Sequence, residues 1–365
     1  MENKKTDIFD YLKWRGDLLF TQSEFNEIDA LILSIFAYLD FSCVRENEIL
    51  FFEDAVNYIN QMPDKVKYNG PNLIMRSVVE LANIAVETER FHDMGVFGFT
   101  TKIDEVEEIQ FAAVTFILPD RTMFLSFRGT DNTLIGWKED FNMCFVDGVP
   151  SQVAAVQYTE NITRRLNMPL RLGGHSKGGN LSIWASTHLS REYQKNILAI
   201  YSNDGPGFSE EFFQNDKYLN IREKIHSFVP ESSIVGVLME HDTYITICSS
   251  NPSVLQHDPF SWLINRTQFV YDGKRTFSGK QFEKVINSWL HSMSIIEREE
   301  LVEDIYNLVT SSNAKTLDDL DKSKIRTLFS AQKTFREMGV KKQAQLIKSL
   351  SKVFFHGELF SEKQR

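Results

Sequence analysis

Cysteine is scarce in this chain: Cys43, Cys144 and Cys248 are the three in 365 residues. An odd number at wide spacing offers neither a disulfide framework nor metal-ligand spacing, and it suits a reducing cytoplasm. Positive charge is also in deficit, with 40 Lys and Arg against 50 Asp and Glu and a net charge of −10, which argues against nucleic acid as a partner. No apolar run reaches the roughly eighteen residues that a membrane span needs. Met1–Asp7 leads into no apolar segment of the kind a secretory signal carries. Internal repeats and low-complexity stretches are missing too. These absences leave a cytoplasmic chain, 42% hydrophobic, long enough for one large α/β domain with an appendage and a core that needs no disulfide or metal support.

What is present centres on one stretch. Leu170 and Leu172 lead into Gly173-Gly174-His175-Ser176-Lys177-Gly178-Gly179, and a helical pattern follows from Asn180 to Leu189. Strand, sharp turn and helix, with Ser176 at the apex between Gly174 and Gly178, make the spacing of a nucleophile elbow. The serine takes a strained conformation there, and side chains two residues before and after it would make strand and helix collide. The helix would aim its first N–H groups and positive dipole end at an oxyanion on the serine. A glycine-rich loop between strand and helix could also cradle phosphate, but the P-loop order is absent, because Lys177 precedes the second glycine pair.

Along the chain, Asp7–Phe20 reads as a short aromatic surface element. Ser23–Asp40 reads as an amphipathic helix with Ser23 as N-cap, and residues 50–62 and 72–86 read as two further helices separated by Pro63 and Asn69-Gly70-Pro71. The period then changes. Val96–Ile103, Ile109–Leu118 and Thr122–Phe127 are strand-like, with Pro119-Asp120 as a hairpin turn. Gln152–Asn167 is helical. Ile197–Ser202, Lys224–Val229 and Thr243–Ser249 follow as strands, with a helix near Glu210–Tyr218. Antiparallel strands first, then strands alternating with helices, predict a mixed, mostly parallel sheet covered on both faces. From about Phe277 the pattern is helical only, with stripes at Phe282, Val285, Ile286, Trp289 and Leu290, at Leu301, Ile305, Tyr306 and Leu308, and then at Ile325–Phe329 and Leu346–Phe355. The expected division is a domain over residues 1–278 and a helical extension over 279–365.

A second motif follows the third strand: Phe127-Arg128-Gly129-Thr130-Asp131-Asn132, then Trp137, Asp140 and Phe141. The loop after an early strand supplies the second oxyanion-hole N–H of an α/β-hydrolase, and a small hydroxyl residue after glycine can approach closely and add a donor. With the Gly-His-Ser-x-Gly-Gly elbow some 45 residues later, the chain resembles the class 3 (fungal triacylglycerol type) lipases. More closely, it resembles a bacterial branch of uncharacterised lipase-like α/β-hydrolases that share an FNE-x-DAL-x-LS stretch (here Phe25–Ser34) and a Q-H-D-P-F-x-W segment (here Gln256–Trp262). The resemblance covers roughly residues 20–270. It implies an α/β-hydrolase fold, Ser176 as nucleophile, Thr130 and the Lys177 N–H as oxyanion hole, and Asp140 as a hydrogen-bonding residue near that loop. Lys177 departs from the lipase pattern, in which an uncharged residue is usual; its cation would either favour an anionic substrate or intermediate or point to solvent.

The elbow predicts the chain order Ser, acid, His. His257, in a loop after the last strand, is the expected base. Glu231, in Pro230-Glu231-Ser232-Ser233-Ile234, is narrowly preferred as the acid, since the resembling lipases carry theirs in an equivalent loop. Asp204, ending the preceding strand, is the alternative, with an Asx turn as its other reading. Asp258 stands too close to His257 in sequence to face it.

The function expected is a serine hydrolase cleaving an acyl ester, lipid-like, with no metal or organic cofactor. A thioesterase or acyltransferase would use the same triad, and a non-catalytic binding protein could keep the elbow as a relic. The segments 50–86 and Phe208–Arg222 are both candidate lids. Residues 331–365 carry eight Lys and Arg against three Glu, and Leu346, Ile347, Leu350, Val353 and Phe354 share a face among Lys342, Lys348 and Lys352. Such a basic amphipathic helix suits peripheral contact with an anionic membrane; docking on the domain with a solvated lysine face is the competing and preferred reading.

Overall fold

In the computed structural model the described residues are 6–347 without 64–71, 144, 147, 272, 277–278, 281–282, 285–286, 289–291, 317–318 and 321–323. The chain opens with helices α1 (Ile8–Arg15) and α2 (Glu27–Phe36), the short strand β1 (Leu50–Phe51), and helices α3 (Phe52–Gln61) and α4 (Asn72–Val86). Strands β2 (Gly95–Asp104), β3 (Ile109–Ile117) and β4 (Met123–Phe127) precede helices α5 (Leu134–Asn142) and α6 (Pro150–Leu166). Then come β5 (Leu170–His175), α7 (Lys177–His188), α8 (Arg191–Lys195), β6 (Ile197–Asn203), the one-turn α9 (Asp216–Leu219), β7 (Ile225–Pro230) and β8 (Ile245–Ile247). A two-stranded ribbon, β9 (Ile264–Asn265) and β10 (Gln268–Phe269), and helices α10 (Ile295–Thr310) and α11 (Lys324–Glu337) follow.

Eight strands form one sheet in sequential order β1 to β8. Neighbours from β1 to β4 are antiparallel and those from β4 to β8 are parallel. This is the mixed, mostly parallel sheet flanked by helices expected of an α/β-hydrolase. Parallel crossovers are right-handed, so a run of parallel strands in sequential order sends its crossover helices to one face. Here α6 and α7 form that layer, over a core that includes Leu125, Leu172, Leu181 and Ile200. The opposite face would lie bare without a second cover, and the N-terminal helices supply it: α2 packs on β4, β5 and β6. With both faces covered, β3 and β4 are apolar nearly throughout and almost wholly buried.

Helix α2 explains the FNE-x-DAL-x-LS stretch. Asn26, not Ser23, is the N-cap, and it forms a capping box with Asp29. Nine of the ten residues of α2 are buried, as required of a helix lying flat on a sheet under further helices. The Asp7–Phe20 segment is not a surface element, since Ile8, Tyr11 and Leu12 of α1 are buried in the core. Among the other expectations, Thr243–Ser249 contracts to a three-residue strand, and Glu210–Tyr218 splits into a 3-10 turn and the one-turn α9.

Of the expected C-terminal stripes, Phe282, Val285, Ile286, Trp289 and Leu290 lie outside the described residues, as do residues 348–355 of the basic tail and residues 277 and 278 at the expected domain boundary. The described part of the extension has its own small cluster, Met293, Leu301 and Leu346, with Leu308, Phe335 and Met338 against it. Leu346 is therefore packed inward. Helix α10 also packs on α5. No described helix is long and apolar enough to cross a membrane.

Candidate active site

Strand β5 ends in His175, and Ser176 takes φ +58° and ψ −132° before α7 begins at Lys177. A non-glycine residue in that region is strained, and the packing around it explains why it stays there. A Cβ on Gly174 would lie 2.3 Å from the Gly178 carbonyl carbon, and one on Gly178 would lie 2.0 Å from the Phe127 carbonyl oxygen. Strand, turn and helix thus touch backbone to backbone, as the sequence pattern anticipates. Gly129 is pressed in the same way: a Cβ there would meet the His175 carbonyl oxygen at 2.6 Å and the Ser176 Cβ at 3.1 Å. The Phe127–Thr130 loop is laid directly onto the elbow.

His257 stands at the end of a 3-10 turn, Ser253–His257. Two residues of the Gln256–Trp262 segment hold that turn: the Trp262 indole N–H donates to the Gln256 carbonyl at 2.8 Å, and the Gln256 side chain accepts from the Ser232 N–H at 2.7 Å. Nδ1 of His257 lies 2.6 Å from Oδ2 of Asp204, whose side chain is fully buried. A carboxylate can only accept, so Nδ1 carries the proton and Nε2 is left as the basic nitrogen. Asp204, the alternative acid, is therefore the partner of His257, and the narrowly preferred Glu231 is not. The parallel register gives the reason. His175 pairs with Asn203 across β5 and β6, and the Ser176 N–H donates to the Asn203 carbonyl at 3.0 Å, so the next residue on β6 stands beside the elbow. Glu231 follows β7, one strand further out, where its backbone bonds to Ile247 and Thr276.

His175, inside the elbow motif, has a role the sequence did not disclose. Its Nε2 donates to the His257 carbonyl at 2.9 Å, and its Nδ1 faces the Tyr38 hydroxyl at 3.3 Å. Burial, then the neighbouring His257, holds this imidazole well below its ordinary range, so it is neutral. With Nε2 donating, Nδ1 accepts from Tyr38. The backbone of His257 is thus tied to β5 and, through Tyr38 just past α2, to the N-terminal layer.

Thr130 donates its hydroxyl proton to Asp140 Oδ2 at 2.5 Å, in keeping with the hydrogen-bonding role expected for Asp140. Arg128 pairs with Asp131 at 3.3 Å, within the same loop. The Lys177 N–H belongs to the first residue of α7 and is one of the N–H groups a helix leaves without an intrahelical acceptor. Its side chain does not point to solvent. Lys177 is 1% exposed, and Nζ reaches Gln110 O at 2.8 Å, Gln110 Oε1 at 2.6 Å and Glu139 Oε2 at 3.0 Å. The cation runs back under the loop into a buried ion pair, away from solvent.

Ser176, His257, Thr130 and Asp140 share one cavity of about 280 Å³. Its walls are mainly apolar, including Ile35, Trp137, Phe141, Val235 and Leu238. Among the described residues, none of either segment expected as a lid, 50–86 or 208–222, lines it. The wall beside the oxyanion loop is α5, a helix the sequence reading passed over as part of a motif, with Trp137 and Phe141 about half exposed. Among the described residues no group of three or more His, Cys, Asp or Glu could hold a metal ion.

Comparison with known proteins gives a family. The model of a family described as Mbeg1-like matches residues 85–307. No curated protein matches the chain. Solved structures similar to it include M37 lipase, at 14% identity over 59% of this chain and 70% of that one, with a TM-score of 0.38. The propeptide complex of Rhizomucor miehei lipase is 12% identical over 70% of this chain and 94% of that one, with a TM-score of 0.37. Lip2 lipase from Yarrowia lipolytica is 10% identical over 55% and 82%, with a TM-score of 0.32.

Proposed function

The chain belongs to the Mbeg1-like family, and on that premise we propose that it is a serine hydrolase that cleaves carboxylic esters of apolar acyl chains, with Ser176, His257 and Asp204 as its triad. The observation that carries the reading is the 2.6 Å bond from His257 to the buried Asp204, in a cavity shared with a serine held at positive φ. A histidine fixed in this tautomer accepts the Ser176 proton on Nε2 as Oγ attacks the acyl carbon. Collapse of the tetrahedral adduct expels the alcohol, which takes that proton, and leaves an acyl-enzyme. Water, deprotonated by His257, then releases the acid. The N–H groups of Thr130 and Lys177 face the oxyanion in both halves. The chemistry calls for no cofactor. The apolar cavity walls support an acyl chain as the bound moiety; the leaving group is set by the mouth of the site, so thioesters enter the same scheme.

The test is labelling of the purified protein with a fluorophosphonate, wild type against Ser176→Ala and His257→Ala. Labelling that is lost in the first variant and strongly slowed in the second is expected. A panel of p-nitrophenyl esters then reads chain length. A wild type that stays unlabelled with and without detergent or lipid would overturn the reading in favour of a non-catalytic binding protein.

A further inference from the structure

Lys177 fills a position where the resembling lipases carry an uncharged residue, and its side chain is used in a way that bears on the oxyanion loop. Its ammonium has three protons and three acceptors: Gln110 O, Gln110 Oε1 and Glu139 Oε2. No proton is left for Asp140, whose Oδ1 lies 3.8 Å from Nζ. That oxygen is buried and has no hydrogen-bond partner. Its companion Oδ2 receives the Thr130 hydroxyl. Asp140 is thus an acid held on one oxygen by a single hydrogen bond and on the other by charge alone.

We propose that Lys177 is a positioning residue for the oxyanion loop: its buried ammonium keeps Asp140 a carboxylate, which compels the Thr130 hydroxyl to donate to Asp140 and so fixes the loop whose N–H faces the reacting carbonyl. The inference rests on the hydrolase reading above. An ionised Asp140 has no proton to give, so Thr130 has one orientation. A neutral Asp140 can donate to Thr130 instead, the hydroxyl is free to turn, and the loop loses its anchor. The same ammonium ties three elements together. Glu139 and Asp140 are neighbours on α5, Gln110 is on β3, and Lys177 opens α7. Glu139 also accepts the Ser151 N–H at 2.8 Å in the first turn of α6, and the Gln110 N–H at 3.1 Å.

The groups facing Asp140 come from each element around it. Lys177 on α7 and His257 on its loop favour its charged form, whereas Glu139 on its own helix opposes it. Tyr38, from the N-terminal layer, is close enough for Asp140 to act on it. Burial raises the carboxyl to about 6, against the downward pull of Lys177 first and the Thr130 hydrogen bond next. It is therefore ionised above about pH 6 and protonated below, so loss of the loop anchor would appear on the acid side of the activity profile.

The test uses variants with opposite signs. Glu139→Gln keeps the cation, leaves Asp140 as the carboxylate that compensates it, and removes a repelling charge, so the acid limb of kcat/KM should move to lower pH. Lys177→Met alone would strand a buried Glu139 carboxylate, so the cation is removed in the double variant Lys177→Met/Glu139→Gln. There the acid limb should move up by about one pH unit, roughly tenfold lower kcat/KM on that side, with little change at alkaline pH. Both shifts should largely vanish when Asp140→Asn is added, which separates Asp140 from direct effects of charge on His257. Shifts of the same sign in both variants, or equal in the Asp140→Asn background, would overturn the assignment while leaving the hydrolase reading intact. If the double variant does not fold, the downward shift of Glu139→Gln and its loss with Asp140→Asn decide the matter. A wild type that does not label with fluorophosphonate overturns the hydrolase reading, and this inference with it.

Discussion

Asp204 is one of the few non-glycine residues at positive φ, +55°, and it sits at the carboxyl end of β6 with its N–H donating to Phe228 at 2.8 Å. Aspartate tolerates this left-handed conformation better than most residues, and here the conformation turns the carboxylate to His257. Gly236 closes over it, where a Cβ would come within 2.1 Å of Oδ1. Asp204→Asn keeps the shape but leaves the histidine free to adopt the other tautomer. It should lower kcat by about 10⁴-fold, as loss of the triad acid does elsewhere, whereas Glu231→Gln should stay within about threefold. Steady-state hydrolysis of one p-nitrophenyl ester by both variants checks this, and the reverse order would restore Glu231 as the acid. At this scale the sequence singled out Ser176 and His257, which line one cavity in the structure, because motif and chain order bear on single residues. It narrowly favoured Glu231 over Asp204, whereas His257 bonds Asp204, because the pairing depends on which strand end abuts the elbow, a matter of register between β5 and β6. The direction of Lys177 was equally hidden: its partners, Gln110 and Glu139, lie 67 and 38 residues back along the chain.

Among elements, α5 matters most to the site and was the least legible. Its sequence, Leu134–Asn142, carries a tryptophan, a phenylalanine and three charged residues, and no clear apolar stripe marks it as a helix packed on a domain. The charges become intelligible only with their partners. Lys138 is 7% exposed and bonds Glu108 at 2.8 Å and Glu303 of α10 at 2.5 Å, with its ammonium over the Tyr306 ring. The Leu134 N–H donates to the Lys315 carbonyl at 2.9 Å. The extension therefore holds the helix that carries Asp140 and one wall of the cavity. Lys138→Met removes the ionic part of that hold. Glu108 and Glu303 are half exposed and can be solvated, so the cost to stability should be small, about 1 kcal/mol. The loss should be local: amide hydrogen exchange should quicken in 134–142 and 295–310 and stay unchanged in β4 to β7. Uniform acceleration across the sheet would mean that α5 opens only with the whole domain.

For the whole molecule, the question is what keeps the N-terminal layer on the open face of the sheet. Crossover helices come attached to the strands they join, but α1 to α4 precede the parallel strands and must be bolted on. Arg90 is the bolt. It is fully buried, and all five of its donors are used. Nε and Nη2 go to Asp29 of α2, Nη1 to the Leu18 and Ser23 carbonyls, and Nη2 also to the Glu24 carbonyl. The Tyr11 hydroxyl of α1 donates to the same Asp29 at 2.8 Å. One guanidinium thus gathers α1, α2 and the loop between them beside the start of β2. The sequence announced α2 through its apolar spacing, but nothing in it marked Arg90 or Asp29 as buried, because burial of a charge is decided by a partner 61 residues away. Arg90→Met would strand the buried Asp29 carboxylate and take the donor from three part-buried loop carbonyls. The expected loss is about 3–5 kcal/mol, lowering the melting temperature by on the order of ten degrees. Adding Asp29→Asn removes the stranded charge and should restore part of that loss, measured by thermal and urea unfolding of the three proteins. If the second substitution instead added its full cost to the first, the two residues would be independent contributors, and the layer would be held by its apolar contacts with β4 to β6 alone. Coupling would have a functional corollary, because Tyr38 reaches His175 from this same layer: loosening the layer should slow fluorophosphonate labelling of Ser176 before the sheet itself unfolds.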